Sequence, residues 1–328
     1  MKLEKYCLQA GVCMILLAVF LRLCSTGALA AAIEKPAVFS VLLFMETGRW
    51  AYVQAEPPRE SPTPVIMPSP KPATPAPADP APLTFQAGDA DLVEVYNDCG
   101  YEADIAAMLQ KPLSWDLTAD GPTVLILHSH GSEGYRESSG YRSLDTGYNV
   151  VSVGTHLKEQ LEQAGIGVIH DTTMHDQPSY NDSYIEAREA IEYYLGQYPT
   201  IRLVLDIHRD AVETADGTQK GYTLSVDGQE AAQLMMVVGT DAGGRNHPNW
   251  QENLSLAVKL HVQLEKQTPG ICRPISFRAQ RFNQDLSAGG MLIEVGAAGN
   301  SREEALLGAE VLAEGIIALA HGTESTLY

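Results

Sequence analysis

The chain has 328 residues, 45% of them hydrophobic, and a formal net charge of -19. That length holds one large or two smaller domains with a real core. The acidic balance, with a pI of about 4.8, argues against a partner held by phosphate contacts, so no nucleic acid is expected.

Lys2 and Lys5 precede an apolar stretch, interrupted only by Arg22, that is long enough to span a bilayer. Basic residues before the stretch and few after it put the N-terminus in the cytoplasm and the bulk of the chain outside. Residues 1–32 are therefore expected to be a transmembrane anchor; the alternative is a signal peptide cleaved at the "ALA" of Ala28 to Ala30. With the anchor kept, this is a single-pass protein of the cell membrane with an extracytoplasmic catalytic domain. Residues 33–56 form a juxtamembrane segment. Residues 57–83 are a Pro-rich linker, with eleven prolines between Pro57 and Pro82. Proline at that density joins neither helix nor sheet interior, so the linker is an extended spacer reaching on the order of 80 Å.

From about residue 84 to 328 the pattern is that of one α/β domain. "TVLILHS" reads as a buried strand and "NVVSVGTHLKEQLEQAG" as a helix closed by Gly165. "IGVIHD" is strand-like, and "SYNDSYIEAREAIEYYLGQYP" is an amphipathic helix stopped by Gly196 and Pro199. "IRLVLDIHRD" and "LMMVVGTDA" are further strands, followed by the helix "WQENLSLAVKLHVQLEKQTPG". "PISFRAQ", "GGMLIEVG" and the helix "SREEALLGAEVLAEGIIALAHG" complete the chain. Alternation of this kind predicts three layers, a mostly parallel sheet covered by helices on both faces.

In such a sheet ligands bind beyond the carboxyl ends of the strands. Three strands deliver chemistry there: the first brings His128, His130 and Glu133, another His208, and a third Glu294. A catalytic zinc wants three nitrogen or oxygen ligands and a position left for water. His130, Glu133 and His208 are the candidate ligands, with Glu294 as general base and acid. Asp145 competes with Glu133 for the third place, its other role being to cap the following helix. His128 is read as a supporting or core residue, because the turn at Gly131 ends the strand.

These blocks resemble the stage II sporulation protein P family. The resemblance rests on "VLILHSHGSEGY", "YNVVSVGTHL", "IGVIHDTTMHDQPSYNDSYIEARE", "LVLDIHRDA", "RFNQDLSAGGMLIEVGAAGN" and the N-terminal "VFSVLLFMETGRW". It covers roughly residues 90 to 320. It implies an amidase-like fold and a membrane-anchored zinc N-acetylmuramoyl-L-alanine amidase. By position, His130, His208 and Glu294 take the family's site roles. It further implies peptidoglycan as substrate, stem cross-link cleavage as an added activity, and a role in septal thinning and engulfment. A lytic transglycosylase and a membrane scaffold protein are the implied partners. The chain departs from the family at "HSHGSEGY", where two glycines flank Glu133 and a looser loop is expected.

Other marked residues have alternative roles. His170, Asp171, His175 and Asp176 either orient substrate, support a ligand or build a loop. Trp250 offers a face to a sugar or packs under its helix. Arg281 meets a peptide carboxylate or pairs with an acidic residue of the domain. Asp206, buried beside His208, needs a partner. Cys99 and Cys272 could pair in an oxidising compartment, but they make no disulfide scaffold. Ser129 and Ser132 lack the glycine pattern of a nucleophile elbow. The competing function is a wall-binding or scaffold module with a degenerate metal site, which would bind sacculi without creating new termini.

Overall fold

The computed structural model describes residues 83–113 and 116–322. The expected anchor, the 33–56 segment and the linker up to Pro82 lie outside the described residues. Among the described residues no helix is long and apolar enough to cross a membrane.

In chain order the elements are β1 (Val95–Asn97), α1 (Ile105–Gln110), β2 (Val124–Leu127), α2 (Val150–Gln163), β3 (Val168–His170) and α3 (Ser183–Gln197). There follow β4 (Leu203–Asp210), β5 (Thr223–Val226), β6 (Gln229–Ala232), β7 (Leu234–Gly239) and α4 (Trp250–Gln267). The chain closes with β8 (Ile275–Arg278), β9 (Gly290–Ala297) and α5 (Arg302–His321). Seven strands form one sheet in the order β1-β8-β7-β9-β4-β2-β3, and β5 and β6 make a separate hairpin.

Each expected strand and helix is present, and the sheet is mostly parallel. Its one antiparallel junction joins β7 to β9, so β1, β8 and β7 run opposite to β9, β4, β2 and β3. The helix boundaries follow local chemistry. Asn149 accepts from Val151 N at the start of α2, and Ser301 and Glu304 form a reciprocal capping box on α5. Gly165, at φ +84°, closes the turn after α2 as its position predicts. The helix "SYNDSY…" begins only at Ser183, because residues 180–182 form a 3-10 turn before it.

Strand side chains alternate between two faces. On one face Val124, Ile126, Leu205, Ile207, Met236, Val238, Ile275, Phe277, Met291, Ile293 and Val295 join the main core with apolar residues of α2, α4 and α5. On the other, Leu125, Leu127, Ile169 and Val204 pack under Ala187, Ile191 and Tyr194 of α3. Helices cover both faces, as expected, but unevenly. Among the described residues only α3 lies on the second face, because the β8–β9 connection carries a 3-10 turn (Gln284–Leu286) instead of a helix, and β4 leads to β7 through the hairpin. That half-open face positions the site.

Candidate active site

The loop leaving β2 sorts its polar residues by depth. His128 is fully buried, with Nδ1 2.9 Å from the Ile207 carbonyl oxygen and Nε2 2.9 Å from His170 Nε2. Burial pushes the two imidazoles down, to about 4 and about 3, so both are neutral at physiological pH. Gly154 of α2 packs on this pair, where a Cβ would come within 2.6 Å of His128 Nε2. His128 is therefore a core residue tying β2 to β3 and β4, as expected.

His130 faces the other way. Its ring stacks on Tyr180 at 4.1 Å between centroids and meets His208 edge-on at 5.4 Å. Its Nδ1 is buried with no hydrogen-bond partner. Burial, then the charge of His208, holds this imidazole below its usual pKa and keeps a lone pair available.

Glu133 is buried, and its Oε2 lies 3.3 Å from His208 Nδ1 while accepting from Arg209 N at 3.2 Å. Burial opposes its ionisation, but the charges of His208 and Arg209 prevail and its carboxyl sits below the ordinary range. The glycine-flanked loop is not loose. The Arg209 guanidinium donates to Gly134 O at 2.9 Å and Tyr141 O at 2.7 Å, and Tyr135 hydroxyl donates to Val295 O at 3.1 Å. Asp145 is exposed and accepts from Gly147 N within its own turn. Of the two competing carboxylates, Glu133 is the one beside His208.

His208 sits on the bare face of β4, paired in register with Glu294 of β9. Burial opposes its protonation, yet the Asp206 and Glu133 carboxylates on either side raise its pKa well above the usual value. Asp206 Oδ1 pairs with His208 Nε2 at 2.9 Å. The same carboxylate accepts from Ser129 N at 2.8 Å and from the Ser129 hydroxyl, which answers its need for partners. Glu294 is half-buried with Oε2 fully enclosed and unpartnered. Burial, then repulsion from Glu133 and Asp210, outweighs attraction to His208 and pushes its carboxyl up to about 8. A glutamic acid that titrates near neutrality is suited to passing protons.

His208 and Glu294 correct one expectation: they lie within strands on an uncovered face and not beyond the strand ends. Tyr184 joins them unannounced by any motif. Its ring lies parallel to His208 at 6.4 Å, edge-on to His130 at 5.3 Å and against Phe282 at 5.9 Å. Burial, then the surrounding carboxylates, lifts its pKa well above 10, so it remains a hydroxyl donor.

The doubled "HD" splits between roles. Asp176 accepts from Ser132 N and hydroxyl, midway between His130 and Glu133, and lies 3.5 Å from Arg142. Asp171 pairs with His175 at 3.3 Å and shapes the loop. Arg281 pairs with Asp285 at 3.0 Å, so it braces its own loop. Trp250 packs against Tyr101 and Phe277 at the start of α4.

Cys99 and Cys272 are unpaired thiols. Elsewhere in the described residues, ligating atoms of His261, Glu265 and Cys272 lie within 4.8 Å of one another. There both Glu265 oxygens already accept backbone N–H groups, from Gly270 and Cys272 at 2.8 Å, and His261 Nε2 is 3.2 Å from Leu92 O. Burial, then the Glu265 charge, keeps the Cys272 thiol protonated. The triad brackets the turn after α4. The donor atoms of His130, Glu133 and His208 are not drawn so close together, but theirs is the set with a buried, unpartnered nitrogen, His130 Nδ1, near a carboxyl that can carry a proton. On that ground these residues fit a zinc ion.

A family model described as stage II sporulation protein P matches residues 79–317. Stage II sporulation protein P of Bacillus subtilis (strain 168) is 28% identical over 211 residues, 60% of this chain and 50% of the relative. The chain thus spans about half the length of the curated relative it matches. Among solved structures, N-acetylmuramoyl-L-alanine amidase AmiC2 of Nostoc punctiforme is similar at TM-score 0.37 and 14% identity, over 60% of this chain and 97% of that one. The apo N-acetylmuramyl-L-alanine amidase Ami1 of Mycobacterium abscessus matches at TM-score 0.37 and 15% identity, over 61% and 99%.

Proposed function

This chain belongs to the stage II sporulation protein P family, and from that premise we propose that it is a zinc-dependent peptidoglycan hydrolase acting on the septal wall during sporulation. The bond cut is the amide between the muramoyl lactyl group and L-alanine, with stem cross-links as a second target. The observation that carries this reading is the Glu294 carboxyl, half-buried in an open cavity beside His208 and held protonated up to about pH 8.

His130, Glu133 and His208 would hold the zinc. When bound, the ion supplies electrostatic stabilisation of developing negative charge and acidifies water. Asp206 and Arg209 steady the set, one beside His208 and Ser129, the other through the Glu133 loop. Ionised once a metal cation lies beside it, Glu294 would take the proton from the attacking water and return it to the leaving amine nitrogen. The Tyr184 hydroxyl, kept protonated by burial, would donate to the substrate amide.

In this reading residues 1–32 anchor the protein in the cell membrane and residues 57–83 hold the domain out to the wall. It would work there alongside a lytic transglycosylase and a membrane scaffold protein. Mass spectrometry of digested muropeptides tests the activity. Free lactyl groups with intact stem peptides are expected; binding to sacculi with no new amine or lactyl termini would instead make the chain a scaffold.

A further inference from the structure

The bare half of the sheet is built as a groove. Tyr96, Ser276, Val237, Leu292 and Asp206 occupy one row in register across β1, β8, β7, β9 and β4. With strands about 4.8 Å apart, that row makes a floor roughly 19 Å wide, and Arg273 and Arg278 are separated along β8 by the length of about five extended residues. A cavity of about 420 Å³ lies along it, floored by Met235, Val237 and Leu292 and overhung by Tyr184 and Phe282. Glu294 lines the same cavity, so whatever lies in the groove reaches the proton carrier.

The groove's charge runs against that of the molecule. In a chain of net charge -19, two arginines, Arg273 and Arg278, line this one cavity. Of its two carboxyl groups, Asp210 is already engaged by Arg273 at 2.8 Å. The other belongs to Glu294. Arg273 is further fixed by stacking over Tyr222 at 3.8 Å, and its NH1 is buried with no acceptor. Arg278 meets only Asp98 at 3.5 Å, with side chains 38% and 56% exposed, a pair of small worth in water. Its guanidinium is thus available for bidentate capture of a carboxylate.

We propose that this open sheet face is a binding groove for an extended peptide bearing free carboxylates, held by Arg278 at the end of β8 and Arg273 just before its start. The proposal rests on the hydrolase reading and adds the recognition element: the peptide stem is read through its acids and laid across the apolar floor toward Glu294. A sugar chain, rich in hydroxyls, makes poor use of an apolar floor and two guanidinium groups.

The test separates binding from hydrolysis. The full chain carrying Glu294→Gln, in detergent micelles, is titrated calorimetrically with a synthetic stem peptide. One form has free carboxylates and the other has them converted to amides. The free-acid peptide is expected to bind at least about tenfold more tightly. Arg278→Gln is expected to remove most of that preference, and Arg278→Lys to keep part of it, because a lysine retains charge without the bidentate fork. Equal affinity for the two peptides, no binding of either at millimolar concentration, or an unchanged preference in Arg278→Gln overturns the proposal. Wall digestion by the unsubstituted chain is measured separately. If no stem peptide is released while the Glu294→Gln protein still discriminates between the peptides, the hydrolase reading falls and the groove stands. If walls are cut but the peptides bind alike, only the groove falls.

Discussion

His208 of β4 and Glu294 of β9 stand opposite each other in register, and their surroundings raise the pKa of both. Asp206 and Glu133 raise the pKa of the imidazole, while burial holds the neighbouring carboxyl protonated up to about 8. One is held as a cation by its carboxylate neighbours and the other as a neutral acid by burial, and it is the second that titrates near neutrality.

Replacing Glu294 by glutamine keeps the shape and removes the carrier. The rate of stem-peptide release from purified walls is expected to fall at least about a hundredfold. Circular dichroism should match the parent, since an amide is buried there more cheaply than a carboxyl. A variant retaining half the parental rate would take Glu294 out of the chemistry.

Asp206→Asn removes the charge beside His208 and weakens the hold on Ser129. Zinc affinity, measured by competition with a chelator, is expected to drop about 10- to 100-fold. His130→Ala should abolish stoichiometric zinc. Unchanged metal content in both variants would exclude this cluster as the zinc site.

Arg209 carries the Glu133 loop on Gly134 O and Tyr141 O, and a lysine cannot reach both. Arg209→Lys should lower stability by about 2–3 kcal/mol in urea unfolding. Proteolysis between residues 131 and 148 should quicken in the same variant. If neither changes, the loop is held by its other contacts.

Lys259 of α4 is buried, donating to Met108 O at 2.7 Å and Ser255 hydroxyl at 2.8 Å. Burial, then the nearby Lys111 charge, brings its pKa from 10.5 down to about 8. Between those values the unfolded chain holds the proton and the folded chain does not, so stability contributed by this group rises with pH. Relative to Lys259→Met, the parent should gain on the order of 2 kcal/mol from pH 8 to 10.5 and lose that gain as pH falls through 8. Parallel stability curves for the two proteins across that window would refute the assignment.

Much of this was legible in the chain. Strands such as "LVLDI" and "MLIEV" announce themselves because central strands bury both faces and read as apolar runs. The histidines and Glu294 were found by asking what each strand delivers. The β5–β6 hairpin was missed although its signal is present: Asp227 and Gly228 both take positive φ, 50° and 82°, the Asp-Gly turn that joins two short strands. The uncovered sheet face was not legible, because it depends on one antiparallel junction and on the absence of a crossover helix between β8 and β9. Tyr184 and Arg273 became visible only with that face. That Glu133 and not Asp145 stands beside His208 was hidden for a similar reason, since it depends on a distant guanidinium, that of Arg209, folding the loop inward.

The placement of the chemistry on β4 and β9 has a dynamic consequence. These two strands lie in the interior of the sheet, each hydrogen-bonded on both edges, so their amides should be among the slowest in the molecule to exchange with solvent. On heating, activity should therefore persist until the whole domain melts. Glu294, on the interior strand β9, is thereby held on the most persistent part of the sheet, while Tyr184 and Phe282 above the groove belong to α3 and to the β8–β9 connection.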